Sequence, residues 1–324
     1  MTPAIATLVV TLVFGTLTAP LPAEAQPPPK IPRLGIIRIS SRADPLDDLL
    51  RQAWRHVGFI EGQTIATEWR FADGKTERLP ELAAELVQLE PTVIVVFGDL
   101  AIRAVQQATR TIPIVAATDD MVGEGHVASF ARPGGNITGW SILASELNVK
   151  RLELLKATAP KARRIAALWD PATGTFHLKA MEAAARSLRV DLKILEIRGP
   201  DDIAGAFEAA RKWRAAALNV LASPLINTHR ETIINFAAKE RLPAIYQWKE
   251  AAEVGGLMSY GPGVSAVYRG LAVLVDKILK GAKPADLPVE QPTRFELVIN
   301  LKTAKTLGLK IPQSVLFRAD QVIQ

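Results

Sequence analysis

Val93-Ile94-Val95-Val96-Phe97-Gly98-Asp99-Leu100-Ala101-Ile102-Arg103-Ala104-Val105-Gln106-Gln107-Ala108 changes its hydrophobic period at Gly98, and that change decides the fold class. Five consecutive apolar residues, mostly β-branched, read as a strand buried on both faces, the pattern of a parallel sheet. Beyond Gly98 the apolar residues fall at helical spacing. Upstream the same grammar repeats. Leu34 to Ile39 is a buried strand, Leu46 to Val57 has helical periodicity ended by Gly58, Ile65 to Trp69 alternates as a strand, and Pro80 opens a helix. Downstream, Ile114 to Ala117 is the next strand. Strand–helix alternation of this kind implies a parallel sheet with helices on both faces.

The alternation stops at Arg132-Pro133-Gly134-Gly135-Asn136 and Thr138-Gly139-Trp140, then starts again. A long helix carrying Leu147, Leu152 and Leu155 leads to Ile165-Ala166-Ala167-Leu168-Trp169 and the turn Asp170-Pro171. Strands follow at Leu192 to Ile197, Ala217 to Leu221, Ala244 to Tyr246 and Gly256 to Tyr260. A helix from Val267 to Ile278 ends at Gly281, and Phe295 to Ile299 is the last extended piece before a short helix over Lys302 to Leu307. The expected fold is therefore α/β, with two doubly wound parallel-sheet lobes. Ligands of such folds sit at the carboxyl ends of the strands, in a cleft between the lobes.

Residues 1–25 read as a secretory signal peptide. Apolar residues dominate from Ile5 to Leu17, too short a run to span a bilayer, and Ala23-Glu24-Ala25 forms a small-x-small cleavage pattern. No Lys or Arg precedes the apolar run, so the basic n-region is missing. The chain carries 39 Lys and Arg against 33 Asp and Glu, net +6, and loss of residues 1–25 removes Glu24 but no base. That charge is spread along the chain. Lys161-Ala162-Arg163-Arg164 reads as a solvated turn, so no nucleic-acid partner is expected. With no cysteine there is no disulfide, lipid-anchor thiol or thiolate metal site.

Catalytic signatures are sparse. None of His56, His126, His177 and His229 pairs at i, i+4, there is no HExxH, and no metal site is expected. G-x-S-x-G and P-loop motifs are missing. Gly123-Glu124-Gly125-His126-Val127-Ala128 satisfies G-x-G-x-x-A, but Glu124 would place negative charge where a pyrophosphate must sit. Asp99, Asp119 and Asp120 follow strand ends and belong at the cleft rim. They can cap following helices, contact a ligand, or serve as an acid–base pair, and no second catalytic element converges on them. Trp140, Tyr246, Trp248 and Tyr260 fall at strand ends or lobe crossings, where a ring can stack on a flat ligand. Ser40 and Ser41 fit either a plain turn or a ligand loop.

Three blocks carry a family resemblance. Ala131-Arg132-Pro133-Gly134-Gly135-Asn136-Ile137-Thr138-Gly139, Gly255-Gly256-Leu257-Met258-Ser259-Tyr260-Gly261 and the stretch from Ile278 to Pro292 resemble signatures of one family of ABC-transporter substrate-binding proteins, whose members include tryptophan/tyrosine uptake proteins. The tail from Phe295 to Ala304 continues the likeness. It implies a type I periplasmic-binding-protein fold: lobe 1 from 33–138 plus 263–291, lobe 2 from 142–259 plus 294–324, and hinge crossings near 139–142, 260–263 and 292–294. Departures from the pattern are acidic. Asp99 stands where members carry Thr, Asp120-Met121-Val122-Gly123 replaces Asp-Pro-Val-Gly beside a second acid at Asp119, and Asp170 replaces Asn. The first-lobe acids count against an amino-acid carboxylate there and favour a ligand presenting a cation or hydrogen-bond donors.

The expected protein is a freely diffusing, monomeric periplasmic receptor of an ABC importer. It is not an enzyme, needs no cofactor, and has a small-molecule ligand and an inner-membrane permease as partners. The expected ligand contacts are Ser40, Ser41, Gly98, Asp99, Asp119, Asp120, Trp140, Asp170, Ser223, Tyr246 and Tyr260. A ligand sensor for a membrane kinase, or an exported glycoside or nucleoside hydrolase, are the rival readings.

Overall fold

A computed structural model describes residues 31–42 and 46–324; the expected signal peptide lies outside the described residues. The first lobe holds β1 (Arg33–Arg38), β2 (Ala66–Phe71), β3 (Val93–Phe97), β4 (Ile114–Thr118) and β5 (Ile137–Ser141) in one all-parallel sheet of order β2-β1-β3-β4-β5. Its helices are α1 (Leu46–His56), α2 (Leu79–Gln88) and α3 (Asp99–Ala108). The pleat sends alternate residues of each strand to opposite faces. Val93, Val95 and Phe97 therefore join the core beneath α1, while Ile94 and Val96 join the core beneath α2 and α3.

The second lobe begins with α4 (Ala144–Thr158). Strands β6 (Arg164–Trp169), β7 (Asp191–Glu196), β8 (Ala217–Val220), β9 (Ala244–Tyr246), β10 (Met258–Gly261), β11 (Glu296–Asn300) and β12 (Gln321–Ile323) form a sheet of order β12-β11-β10-β9-β8-β6-β7. Around it lie α5 (Phe176–Ser187), α6 (Asp202–Lys212), α7 (Pro224–Thr228), α8 (Arg230–Lys239), α9 (Lys249–Glu253), α11 (Leu301–Thr306) and α12 (Gln313–Leu316). The long α10 (Val264–Leu279) packs back on α1, β4 and β5 of the first lobe. The chain thus passes between sheets after β5, after β10 and before β11. A bridge from Trp140 to Glu290 ties the first and third passages side by side.

Four details depart from the expected pattern: the expected break at Thr138–Trp140 lies within strand β5, β12 is an unexpected strand at the sheet edge, and two more concern connections. β10 and β11 pair antiparallel, because β11 re-enters the sheet from the other lobe rather than through a crossover helix. Residues 119–136, between the parallel strands β4 and β5, contain turns and no helix. Asp119 and Asp120 consequently have no following helix to cap, and Gly123 to Ala128 lies in this connection rather than opening a helix, which removes the dinucleotide motif. Among the described residues, no helix is long and apolar enough to cross a membrane.

Candidate functional site

In the first sheet the strand order reverses at β1 and β3, with α1 and α10 on one face and α2 and α3 on the other. In the second it reverses at β6 and β8. At such a reversal the connections leave in opposite directions and open a crevice at the strand ends. Here the two crevices face each other across one cavity. Arg38, Phe97, Gly98, Asp99 and Asp119 line it from ends of the first sheet, Ser223, Gln247 and Trp248 from ends of the second, and Tyr268 from α10.

The first-lobe wall is aromatic and held by one buried cation. Phe97 and Tyr268 meet edge to face, with ring centroids 5.4 Å apart. The Arg38 guanidinium lies over the Phe97 ring at 4.6 Å, its Nε sits 2.9 Å from Asp47 Oδ1, and its Nη1 donates to the Tyr268 hydroxyl at 3.4 Å. Arg38 and Asp47 are both buried. A paired, oriented guanidinium beside aromatic faces suits a flat solute with a carboxylate or other acceptor group.

On the opposite wall Ser223 is the N-cap of α7, accepting from the Ile226 amide at 3.0 Å while its hydroxyl donates to Asp170 Oδ2 at 2.7 Å. Asp170 also accepts from the Ala172 amide at 2.9 Å, capping the turn that follows β6. Burial raises the Asp170 carboxyl against the lowering effect of these two hydrogen bonds. Asp170 therefore stands behind Ser223 and is not part of the cavity wall.

The first-lobe acids behave differently from one another. Asp99 is the first residue of α3, with Gly98 in the N-cap position, so its carboxylate is not a helix cap. It accepts from Arg103 Nε at 3.0 Å and lies 2.9 Å from both Arg103 Nη2 and His126 Nε2. Burial pushes this carboxyl upward, and the two basic partners outweigh it and hold it below the ordinary value. Asp119 keeps partial solvent contact, yet burial of its carboxyl and the nearby charge of Glu124 push it up to about 8, against the opposing pull of Arg151. At neutral pH it is mostly a neutral donor. Asp120 accepts from the Val122 and Gly123 amides at 3.1 and 2.9 Å and shapes a turn. The acidic departures thus add little free negative charge to the cleft.

Of the eleven residues expected at the ligand, the structure brings Gly98, Asp99, Asp119 and Ser223 into the lining of one cavity, the first three from the first lobe and Ser223 from the second. Ser40 is buried and Ser41 half-buried, and neither is among the lining residues. Trp140 packs its indole against Gly270 of α10, where any Cβ would come within 2.2 Å of the ring. Tyr246 is buried in the second-lobe core, and Tyr260 leans on Phe295 with centroids 6.1 Å apart. These three rings fill seams between elements because strand-end position does not say which way a side chain points. Arg38 and Tyr268 were missed, the latter because it sits on a helix that returns from the other half of the sequence. Trp248, expected at a strand end just beyond β9, does line the cavity.

Comparison with known proteins agrees with this fold. A family model described as ABC transporter substrate binding protein matches residues 44–323. A Clostridioides difficile protein named "Tyrosine-binding protein" is 24% identical over 257 residues, covering 78% of this chain and 73% of that protein. Among solved structures, a conserved domain protein from Vibrio cholerae superposes with a TM-score of 0.83 at 26% identity, over 90% of this chain and 100% of that one. An ABC domain from Streptococcus pneumoniae in complex with L-Trp superposes with a TM-score of 0.80 at 25% identity, over 90% and 99%.

Proposed function

Because the chain belongs to the family of ABC transporter substrate-binding proteins, we propose that it is the exported, periplasmic receptor of an ABC importer, clamping a small aromatic, amino-acid-like solute between its lobes. The observation that carries this reading is the single cavity formed by the two facing switch points, with Phe97, Tyr268 and Trp248 as aromatic surface and Arg38 as its oriented cation. The tyrosine and tryptophan named for its relatives support the same ligand class.

Capture follows from geometry. A solute touching both walls binds the closed arrangement better than the open one, and that differential affinity moves the population toward closure. The three Gly- and Pro-rich passages between sheets act as hinges, absorbing the backbone change. A membrane permease then recognises the closed form. Within the site, Gly98, Asp99, Asp119 and Ser223 contact the solute, while Asp170 orients Ser223.

Calorimetric titration with tryptophan, tyrosine and simple aromatic carboxylates tests the reading, together with mass spectrometry of any compound retained through native purification. Binding of an aromatic solute, weakened at least about tenfold in Arg38→Met, is expected, in keeping with ~1.5–3 kcal/mol for a hydrogen bond to a charged group. A retained compound that is neither aromatic nor acidic would sink this ligand class.

A further inference from the structure

We propose that Asp99, Glu124 and His126 form a divalent-cation site, matched best to Zn²⁺, at the edge of the solute cleft. The three residues come from the start of α3 and from the β4–β5 connection, and one ligand atom of each lies within 4.8 Å of the others. His126 Nε2 is 2.9 Å from Asp99 Oδ1 and 3.3 Å from Glu124 Oε2, and all three side chains are at least nine-tenths buried. Bonds of ~2.0–2.2 Å to a tetrahedral zinc place neighbouring ligand atoms about 3.3–3.5 Å apart. The two edges from His126 Nε2 are already close to that spacing, and the third is within 4.8 Å.

The hydrogen bonds around the histidine point the same way. Gln106 Nε2 donates to the His126 carbonyl at 3.2 Å, which orients the amide so that its Oε1 faces His126 Nδ1 at 3.1 Å. An amide oxygen can only accept, so Nδ1 carries the proton. In the neutral ring Nε2 is then a bare lone pair aimed between two carboxylates, an arrangement that requires a positive charge. Nε2 approaches both oxygens without hydrogen-bond alignment to either. Metal-binding histidines have this feature: the other ring nitrogen donates to a carbonyl-type oxygen that fixes the tautomer. The outer partners of the carboxylates are also in place. Thr118 donates to Glu124 Oε2 at 2.7 Å, and Arg103 holds Asp99 while its Nη2 donates to the Glu124 carbonyl at 2.8 Å. Asp99 also lines the cavity, so water or a solute donor can complete the coordination.

The competitor is a proton. Asp99 and Glu124 against Arg103 leave one negative charge, which an imidazolium neutralises and a zinc ion over-compensates by one. Binding of the metal expels that proton to solvent, so the site fills as pH rises. The proposal does not depend on which solute the cleft takes.

The test is titration of Zn²⁺ into the tag-free, chelator-treated protein at about pH 8, where the ring releases its proton more readily. Co²⁺, followed by its visible absorption, is a second probe. One equivalent is expected, with tetrahedral-type Co²⁺ bands. His126→Ala and Glu124→Gln should abolish binding, and Gln106→Ala should weaken it about 10- to 100-fold. Metal-free melting curves of each variant check that the fold survives. No binding to the wild-type protein, or equal binding to wild type and His126→Ala, overturns the site. Nitrogen NMR showing both ring nitrogens protonated with Zn²⁺ present would overturn it as well.

Discussion

Asp119 ends β4 in the cleft, where burial pushes its carboxyl up to about 8 from an ordinary 3.8. A raised carboxyl stabilises the folded state fully below the unfolded value and loses that contribution as pH rises through the folded one. Stability should therefore fall between pH 3.8 and about 8 on account of this residue. Asp119→Asn should flatten that part of the pH–stability profile and melt higher than wild type near the upper end of the window. An unchanged profile would mean that Asp119 is already ionised in the folded protein. Ser223 offers a complementary measurement. Its hydroxyl both caps α7 and satisfies Asp170, so Ser223→Ala should destabilise by ~1–2 kcal/mol in denaturant melts. Its position after β8 could be read from sequence; its bond to Asp170, 53 residues away, could not.

Among the elements, β5 packs closely on β4 through Gly139 and on α10 through Gly270. At Gly139 a Cβ would lie 1.8 Å from the Ala116 carbonyl oxygen of β4, and at Gly270 it would strike the Trp140 indole at 2.2 Å. Neither obstacle is the far end of a flexible chain, since one is backbone and the other a buried ring. Gly270→Ala should cost about 1–3 kcal/mol as α10 or Trp140 shifts, and Gly139→Ala at least as much. Chemical denaturation measures both, and a wild-type midpoint in either variant would refute the packing described. The helix-free connection over 119–136 has its own logic. Glu124 and His126 reach back to α3 through Asp99, Arg103 and Gln106, and these contacts replace the packing a crossover helix would give.

For the whole molecule, buried polar groups inside the second lobe contribute to the response to acid. Arg151 of α4 is fully buried and donates to the Tyr260 carbonyl at the end of β10 and to Asn148 Oδ1. His177 is also buried, and burial together with the Arg151 charge pushes its ring down to about 4. A depressed histidine gives stability that is complete above its ordinary value of 6.5 and is lost as pH falls through the folded one. Acid should therefore destabilise the protein from pH 6.5 toward 4, and His177→Phe should lessen that sensitivity. A variant as acid-sensitive as wild type would move the cause elsewhere. Solute-driven closure predicts a smaller radius of gyration in solution scattering. It also predicts a rise in stability of ~2.7 kcal/mol at about 100 Kd. Tight binding with unchanged scattering would rule out the clamp.

Local periodicity alone determined all the strands except β5 and β12, most of the helices, the restart after residue 140 and hence the two α/β lobes, because a strand's period of two and a helix's 3.6 are written in consecutive residues. It also placed Gly98, Asp99, Asp119 and Ser223 at strand ends, since in a parallel sheet those ends share one side. What only the tertiary structure decided is which side chains converge there. Tyr268 comes to the cleft on a helix that leaves the second lobe, and Arg38 is fixed by Asp47 and Tyr268 from two different helices. His126 meets Asp99 across 27 positions with no motif between them. Such meetings depend on how elements stack and on charges compensated through space, and neither leaves a period in the sequence.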